Sequence, residues 1–80
     1  MSISPVRVDA LAVDVTFTTD AIHVILADGR AISAPLAWFP RLRSATVEQL
    51  MDWRLIGGGV GIHWESIDED ISVDGLLVIR

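Results

Sequence analysis

Apolar residues alternate with polar or small ones in the first part of the chain, with the period of two that is typical of half-buried β-strands. Leu11, Val13, Val15 and Phe17 carry this alternation, which predicts a first strand with these four side chains facing the core. The residues between them, which we expect on the solvent side, are Ala12, Asp14 and Thr16.

A second alternating segment follows over residues 22–27, and a third apolar segment covers residues 31–34. The second has one apolar face made of Ile22, Val24 and Leu26. Between the two segments lies Asp28-Gly29, which favours a two-residue type I′ turn because both central residues of that turn have positive φ. The pattern therefore predicts an N-terminal antiparallel meander of three strands.

Helical signals replace the alternation after Pro35, which lacks a backbone N–H and ends a sheet ladder. Pro40 suits the first position of a single helical turn. Thr46 is a candidate N-cap for a second helix over roughly residues 47–55. Its apolar stripe would consist of Val47, Leu50, Met51 and Leu55. Trp53 falls outside this stripe, so we expect it to be partly exposed.

Residues 57–72 combine a glycine run, a short apolar segment and an acidic cluster. We expect the glycine run to end the helix and to act as a flexible or closely packed connector. The segment after it predicts a short strand, with Ile62 and Trp64 on one face and His63 with Glu65 on the other. The acidic cluster at the next turn consists of Asp68, Glu69 and Asp70. Residues 74–80 fit either a further strand or a terminal helical turn.

Length and composition predict a single domain over residues 1–80, with a thin core. Its fold class would be α+β: the three-stranded meander, then one or two short helices, then a short C-terminal strand region. Hydrophobic residues make up 51% of the chain, which is generous for this size and leaves apolar surface for a partner. We therefore expect a homodimer, formed through an edge of the meander or through Trp53.

Charge restricts the class of partner. The chain has 11 acidic residues against 6 basic ones, all of them arginine, for a net charge of −5. This balance predicts no nucleic-acid binding, because phosphate neutralisation drives that affinity, and it favours a basic protein partner. There is no leader pattern, no apolar run long enough for a membrane span and no cysteine, so we expect a cytoplasmic protein without a membrane partner.

Seven residues of the second half are candidates for a partner-binding surface, because they combine carboxylates with residue types enriched in interfaces. They are Trp53, Arg54, His63, Glu65, Asp68, Glu69 and Asp70. The alternative is a small metal-binding or hydrolytic protein using His63, Glu65 and Asp68, or a structural subunit of a larger assembly. A metal site would need His23 as a further ligand, and a hydrolase triad would need Ser66 to converge with His63. We expect no catalytic residues, no metal and no cofactor.

Six segments spread over residues 13–77 occur here in a specific combination. They are residues 28–30, 35–42, 45–49, 61–64, 68–73 and 75–77. The most specific pair is Trp-Phe-Pro-Arg-Leu with Ile-His-Trp followed by Asp-Glu-Asp-Ile-Ser-Val. In this combination the chain resembles the small bacterial domain of unknown function 2442.

This resemblance implies an α+β fold and a role as an antitoxin, because members are often encoded beside a small toxin-like protein. Some members carry a C-terminal helix-turn-helix; this chain stops at Arg80, so we do not expect operator binding. The family has no established catalytic residues to carry over. The leading expectation is a non-enzymatic protein-binding module that resembles a toxin-neutralising antitoxin and covers the working surface of a basic partner.

Overall fold

The computed structural model describes residues 10–77, which form two three-stranded antiparallel sheets connected by short helices. The first sheet and the helices after it are β1 (Ala12–Phe17), β2 (Ala21–Leu26), β3 (Ala31–Pro35), a 3-10 turn (Leu36–Trp38), α1 (Pro40–Arg43) and α2 (Val47–Met51). The remaining elements are β4 (Trp53–Ile56), β5 (Gly61–Trp64), β6 (Glu69–Ser72) and α3 (Val73–Leu77). This order confirms the predicted α+β class.

The first sheet has the order β1-β2-β3, as the alternation predicts, and its central strand buries the predicted apolar face. In β1 the register with β2 shifts between Ala12 and Asp14, so the strand contains a bulge. Ala12 is consequently 1% exposed and Val13 is 53% exposed. The prediction that Val13 faces the core and Ala12 faces solvent is wrong, because a bulge places an extra residue opposite one partner.

The turn between β2 and β3 lies where predicted, but its type differs. Leu26 accepts a hydrogen bond from the N–H of Gly29 at 3.0 Å and donates its own N–H to Arg30 at 2.8 Å, which closes a three-residue loop. Gly29 has a φ of 92°, whereas Asp28 is not among the positive-φ residues. The loop is therefore the longer hairpin connection that ends in a left-handed glycine, and the type I′ prediction is wrong.

Helix α2 begins at its predicted cap. The Thr46 hydroxyl accepts a hydrogen bond from the Gln49 N–H at 3.1 Å, and the Gln49 side-chain oxygen accepts from the Thr46 N–H at 2.9 Å. This reciprocal capping box satisfies two backbone donors that a helix N-terminus leaves free.

The predicted extent of this helix, residues 47–55, is wrong, because α2 ends at Met51 and residues 53–56 form β4. Trp53 and Leu55 pair with Trp64 and Ile62 of β5, so pairing with a distant strand overrides the helical spacing. Of the predicted stripe, Leu50 and Leu55 pack against the core, whereas Val47 and Met51 are 76% and 61% exposed.

The glycine run forms the turn between β4 and β5 and does not end a helix. Gly59 has a φ of 111°, and its carbonyl accepts the N–H of Ala12 at 2.8 Å. A Cβ at position 59 would lie 2.5 Å from the Ala12 carbonyl oxygen. The run is therefore a closely packed connector that brings the two sheets together.

Trp64 is the largest fully buried side chain in the core. Its ring meets that of Phe17 edge-on, with centroids 6.4 Å apart, and its indole N–H donates to the Leu50 carbonyl at 3.0 Å. Trp64 thereby links β5 to the first sheet and to α2. At the C-terminal end, α3 buries Val73 and Leu76, which selects the helical alternative for residues 74–77; residues 78–80 lie outside the described residues.

No helix within residues 10–77 is long and apolar enough to cross a membrane.

Candidate functional site

Four of the seven predicted binding residues meet on the outer face of the second sheet. Arg54 of β4 pairs with His63 of β5, and His63 pairs with Asp70 of β6. Directly paired residues of antiparallel strands point to the same face, so these three side chains form a row. Glu65 follows β5 two residues after His63 and joins them. We call Arg54, His63, Glu65 and Asp70 the charged row.

His63 is at the centre of the charged row. Its Nε2 lies 2.5 Å from a carboxylate oxygen of Glu65, and its Nδ1 is hydrogen-bonded to the Asp70 carboxylate. Glu65 also faces the Arg54 guanidinium at 3.6 Å. The imidazole is 14% exposed, whereas the two carboxylates that hold it are largely open to solvent.

This geometry sets the charge of the row. The hydrogen bond that His63 donates to Glu65, and then the one that it donates to Asp70, raises the pKa of His63 above its ordinary value, against the opposing effect of partial burial. The hydrogen bond from His63, with the positive charges of His63 and Arg54, lowers the pKa of Glu65. The row therefore favours the charged form of His63 and the ionised form of Glu65.

The other three predicted residues do not join the row. Trp53 packs against the core and is half-buried. Glu69 turns its carboxylate back to accept the N–H of Asp70 at 3.0 Å. Asp68 sits in the turn before β6 with a φ of 51°. The acidic triplet of the sequence is thus divided by the structure, and Asp70 alone of the three enters the row.

Arg41 is a functional-looking residue that the sequence reasoning missed. Its guanidinium reaches from α1 to the backbone carbonyls of Ile67 and Asp68, and it donates to both. It thereby fixes the turn that leads into β6. The signal available in the sequence was its place inside the Trp-Phe-Pro-Arg-Leu segment.

A cleft of about 370 Å³ opens beside β6, next to the charged row. It is lined by Trp38 and Phe39 on the segment before α1, by Asp70, Ile71 and Ser72 of β6, and by Gly75 and Leu76 of α3. We call this the Trp38 cleft.

Two features of the Trp38 cleft were not expected from the sequence. Trp38 is 57% exposed, although it is one of the largest apolar side chains of the domain. Asp70 is among the residues that line the cleft and also belongs to the charged row, so the two features share one residue. Both of the most specific sequence segments contribute to the lining, which is the signal that pointed here.

The metal-binding and hydrolytic alternatives find little support in this arrangement. The partners of His63 are Glu65 and Asp70, and the structure joins neither Ser66 nor Asp68 to it. His23 belongs to β2 of the first sheet, where its Nδ1 lies 2.5 Å from the Ser33 hydroxyl. In the part of the chain that the structure describes, no group of three or more histidine and acidic residues has a metal-binding arrangement.

The fold and the site together define a class: a small α+β domain of two antiparallel sheets with a charged row and an apolar cleft at one edge. The chain belongs to the family described as "Protein of unknown function (DUF2442)", which it matches over residues 12–80. No match to a curated protein is found.

Two solved structures are similar to this chain. A crystal structure of a protein of unknown function from Rhodospirillum rubrum ATCC 11170 is 28% identical, with a TM-score of 0.75 over 86% of each chain. A solution NMR structure of the uncharacterized protein CV0863 from Chromobacterium violaceum is 29% identical, with a TM-score of 0.71. That match covers 84% of this chain and 63% of the other, so this chain spans less than two thirds of that protein.

Proposed function

We propose that this protein is a non-enzymatic protein-binding module that resembles the antitoxin of a two-gene bacterial system. Its partner is a basic protein, such as the toxin of that system. The observation that carries the proposal is the edge of the second sheet, where the exposed ring of Trp38 and the apolar cleft beside it adjoin solvent-exposed carboxylates. Protein interfaces combine an apolar centre with a polar rim, and tryptophan is enriched among the residues that carry their binding energy.

Electrostatics favour a basic partner. The chain has a net charge of −5, and within the charged row the two cations face two carboxylates, so the row adds no positive patch. An acidic surface accelerates the approach of a basic protein, and salt screens this attraction. In this proposal the complex forms in the cytoplasm, and it neutralises the partner by covering its working surface.

The environment of His63 favours binding over catalysis. A general base needs a free ring nitrogen that faces its substrate. Both ring nitrogens of His63 are engaged by carboxylates. The row therefore supports a rigid recognition surface better than a proton-transfer site.

The proposal is tested by co-expression with the product of the neighbouring gene. We expect a complex that survives gel filtration and restores growth when the partner alone inhibits it. The double substitution Glu69→Gln with Asp70→Asn should slow association and reduce its dependence on salt. The matched control is Glu48→Gln with Asp52→Asn, which removes the same charge from α2 and its C-terminus.

Two results would contradict the proposal. One is the absence of both a complex and growth rescue with the wild-type protein. The other is an equal loss of association in the two double variants, which would assign the effect to overall charge and not to this edge of the second sheet.

A homodimer remains a prediction, and the geometry makes two of the expected routes less favourable, the β1 edge of the meander and Trp53. The bulge in β1, with the Asp14 carboxylate accepting the Val15 N–H at 2.9 Å, makes that edge a poor template for strand pairing. Trp53 is half-buried against the core, whereas Val47 and Met51 offer exposed apolar surface. Light scattering at micromolar concentration measures the mass, and a monomer would contradict the prediction.

A further inference from the structure

We infer that the Trp38 cleft binds an arginine side chain of the basic partner, with the guanidinium between the indole of Trp38 and the carboxylate of Asp70. This inference rests on the proposed function, since it names the group by which the partner would be anchored. It is argued from the residues that line the cleft, from the Asp70 carboxylate oxygen that accepts no hydrogen bond within residues 10–77, and from the contacts of the chain's own arginines.

The lining suits a long side chain that is apolar along its stem and charged at its tip. Ile71 and Leu76 line the cleft, and each is 6% exposed, so they offer limited apolar contact at its floor. Arginine packs its methylene groups along such surface while its guanidinium stays at a polar rim. A purely apolar side chain would offer no donor to the Asp70 carboxylate.

Asp70 has the capacity to accept such a group. Its Oδ1 is hydrogen-bonded to His63, and no hydrogen bond within residues 10–77 engages its Oδ2. The side chain is 68% exposed, so an incoming donor reaches Oδ2 without displacing His63. Hydrogen bonds from a guanidinium to a carboxylate are about twice as strong as those between neutral groups.

None of the arginines described by the structure supplies this cation. Arg30 is paired with Asp28 at 2.7 Å, and Arg41 donates to backbone carbonyls of the turn before β6. Arg54 faces Glu65, and Arg43 of α1 is not part of the cleft lining. No cationic side chain lines the cleft among residues 10–77. The carboxylate of the lining residue Asp70 is therefore complementary to a positive charge that residues 10–77 do not supply.

Trp38 distinguishes arginine from lysine. Its side chain is more than half exposed at the mouth of the cleft, and tryptophan offers the strongest aromatic face for a cation. A planar guanidinium stacks on that face while it donates to a carboxylate, whereas an ammonium is a compact, strongly hydrated charge. We therefore expect the cleft to prefer arginine over lysine.

The test uses blocked tripeptides with leucine on both sides of a central arginine, lysine or citrulline. Citrulline has nearly the shape of arginine without its charge. In an NMR titration of the labelled protein, the arginine peptide should shift the indole N–H of Trp38 and the amides of Ser72 and Gly75. The citrulline peptide should bind about tenfold or more weakly than the arginine peptide, with the lysine peptide between them.

Two variants locate the contact. Asp70→Asn and Trp38→Leu should each weaken binding of the arginine peptide, the first by about tenfold. Asp52→Asn, which removes an exposed carboxylate outside the cleft, should leave binding within about twofold. Because Trp38 and Asp70 are both exposed, melting curves should show that all three variants are folded. If one of the two cleft variants does not fold, the other still tests the contact.

The inference is overturned if citrulline binds as well as arginine, if the shifts lie outside the cleft, or if Asp70→Asn binds like the wild type. Its failure is distinguishable from that of the proposed function. If a partner complex forms and neither the arginine peptide nor Asp70→Asn affects it, the inference about the cleft fails and the proposed function stands. Specific binding of the arginine peptide without a partner complex would support the inference about the cleft and contradict the proposed function.

Discussion

Trp64→Phe is the substitution that most directly tests how the two sheets are held together. Trp64 has no exposed surface, its ring meets Phe17 of β1 edge-on, and its indole N–H donates to the carbonyl of Leu50. Phenylalanine keeps an aromatic ring at this position but removes the N–H and part of the ring volume. The substitution therefore weakens the connection to α2 while leaving the pairing of β5 intact.

The expected loss follows from two contributions. A carbonyl that loses its donor in a largely buried position costs about 1–3 kcal/mol. The vacated volume adds a cavity contribution on the order of 1–2 kcal/mol, since a tightly packed core relaxes only in part. We expect a decrease of about 2–5 kcal/mol in the free energy of unfolding. A domain of this size has a total of about 4–12 kcal/mol, so this loss is a large fraction of its stability.

Urea unfolding followed by far-UV circular dichroism measures this decrease, with the slope against denaturant expected to stay unchanged. Trp38→Phe is the matched control, because it makes the same chemical change at an exposed ring, and it should alter stability by less than about 0.5 kcal/mol. A decrease of less than about 1 kcal/mol for Trp64→Phe would refute the reasoning. So would equal effects of the two substitutions.

Three further predictions concern single positions. The carboxylate partners of His63 raise its pKa in the folded state, so the stability that they add is fully present below the unfolded pKa and is lost as pH rises through the folded pKa. His63→Gln should remove that pH dependence, measured as melting temperature against pH, and an unchanged curve would contradict it. Gly59→Ala should lower the melting temperature much more than Gly58→Ala, because only a Cβ at position 59 meets backbone atoms; equal shifts would refute the close packing. Thr46→Ala should cost about 1 kcal/mol in urea unfolding through loss of the capping box, and no loss would show that α2 does not depend on it.

The parts of the fold that could be predicted are those where local pattern and tertiary structure agree. The apolar face of β2 and the face of β5 that carries Trp64 follow a period of two, and both are buried as expected. The cap at Thr46 and the helical turn beginning at Pro40 depend on neighbouring residues alone, and both are confirmed.

The errors arise where distant pairing decides the structure. Residues 53–56 are apolar at alternate positions, yet a segment so short also fits the continuation of a helix. Only the pairing of Trp53 with Trp64 settles the choice, and no local signal encodes it. The bulge beside Asp14 is similar, since it depends on the register with β2.

The candidate site shows the same division. His63 and Glu65 were placed on one face by alternation, and they meet there. Arg54 joins them only because its segment is a strand, so the reason for its presence could not be foreseen from a helical interpretation. The Trp38 cleft was missed because the exposure of an aromatic ring depends on how neighbouring elements cover it.

The two most specific segments of the sequence meet at β6 and the cleft beside it. From the first segment, Arg41 holds the turn before β6 through the carbonyls of Ile67 and Asp68, and Trp38 provides an exposed ring across the cleft. From the second segment, His63 fixes one oxygen of the Asp70 carboxylate. The hydrogen bond to His63 restrains the Asp70 carboxylate, and the contacts of Arg41 restrain the turn before β6, before any ligand arrives. Such preorganisation lowers the entropic cost of binding, which supports the proposal that this edge of the second sheet contacts a partner.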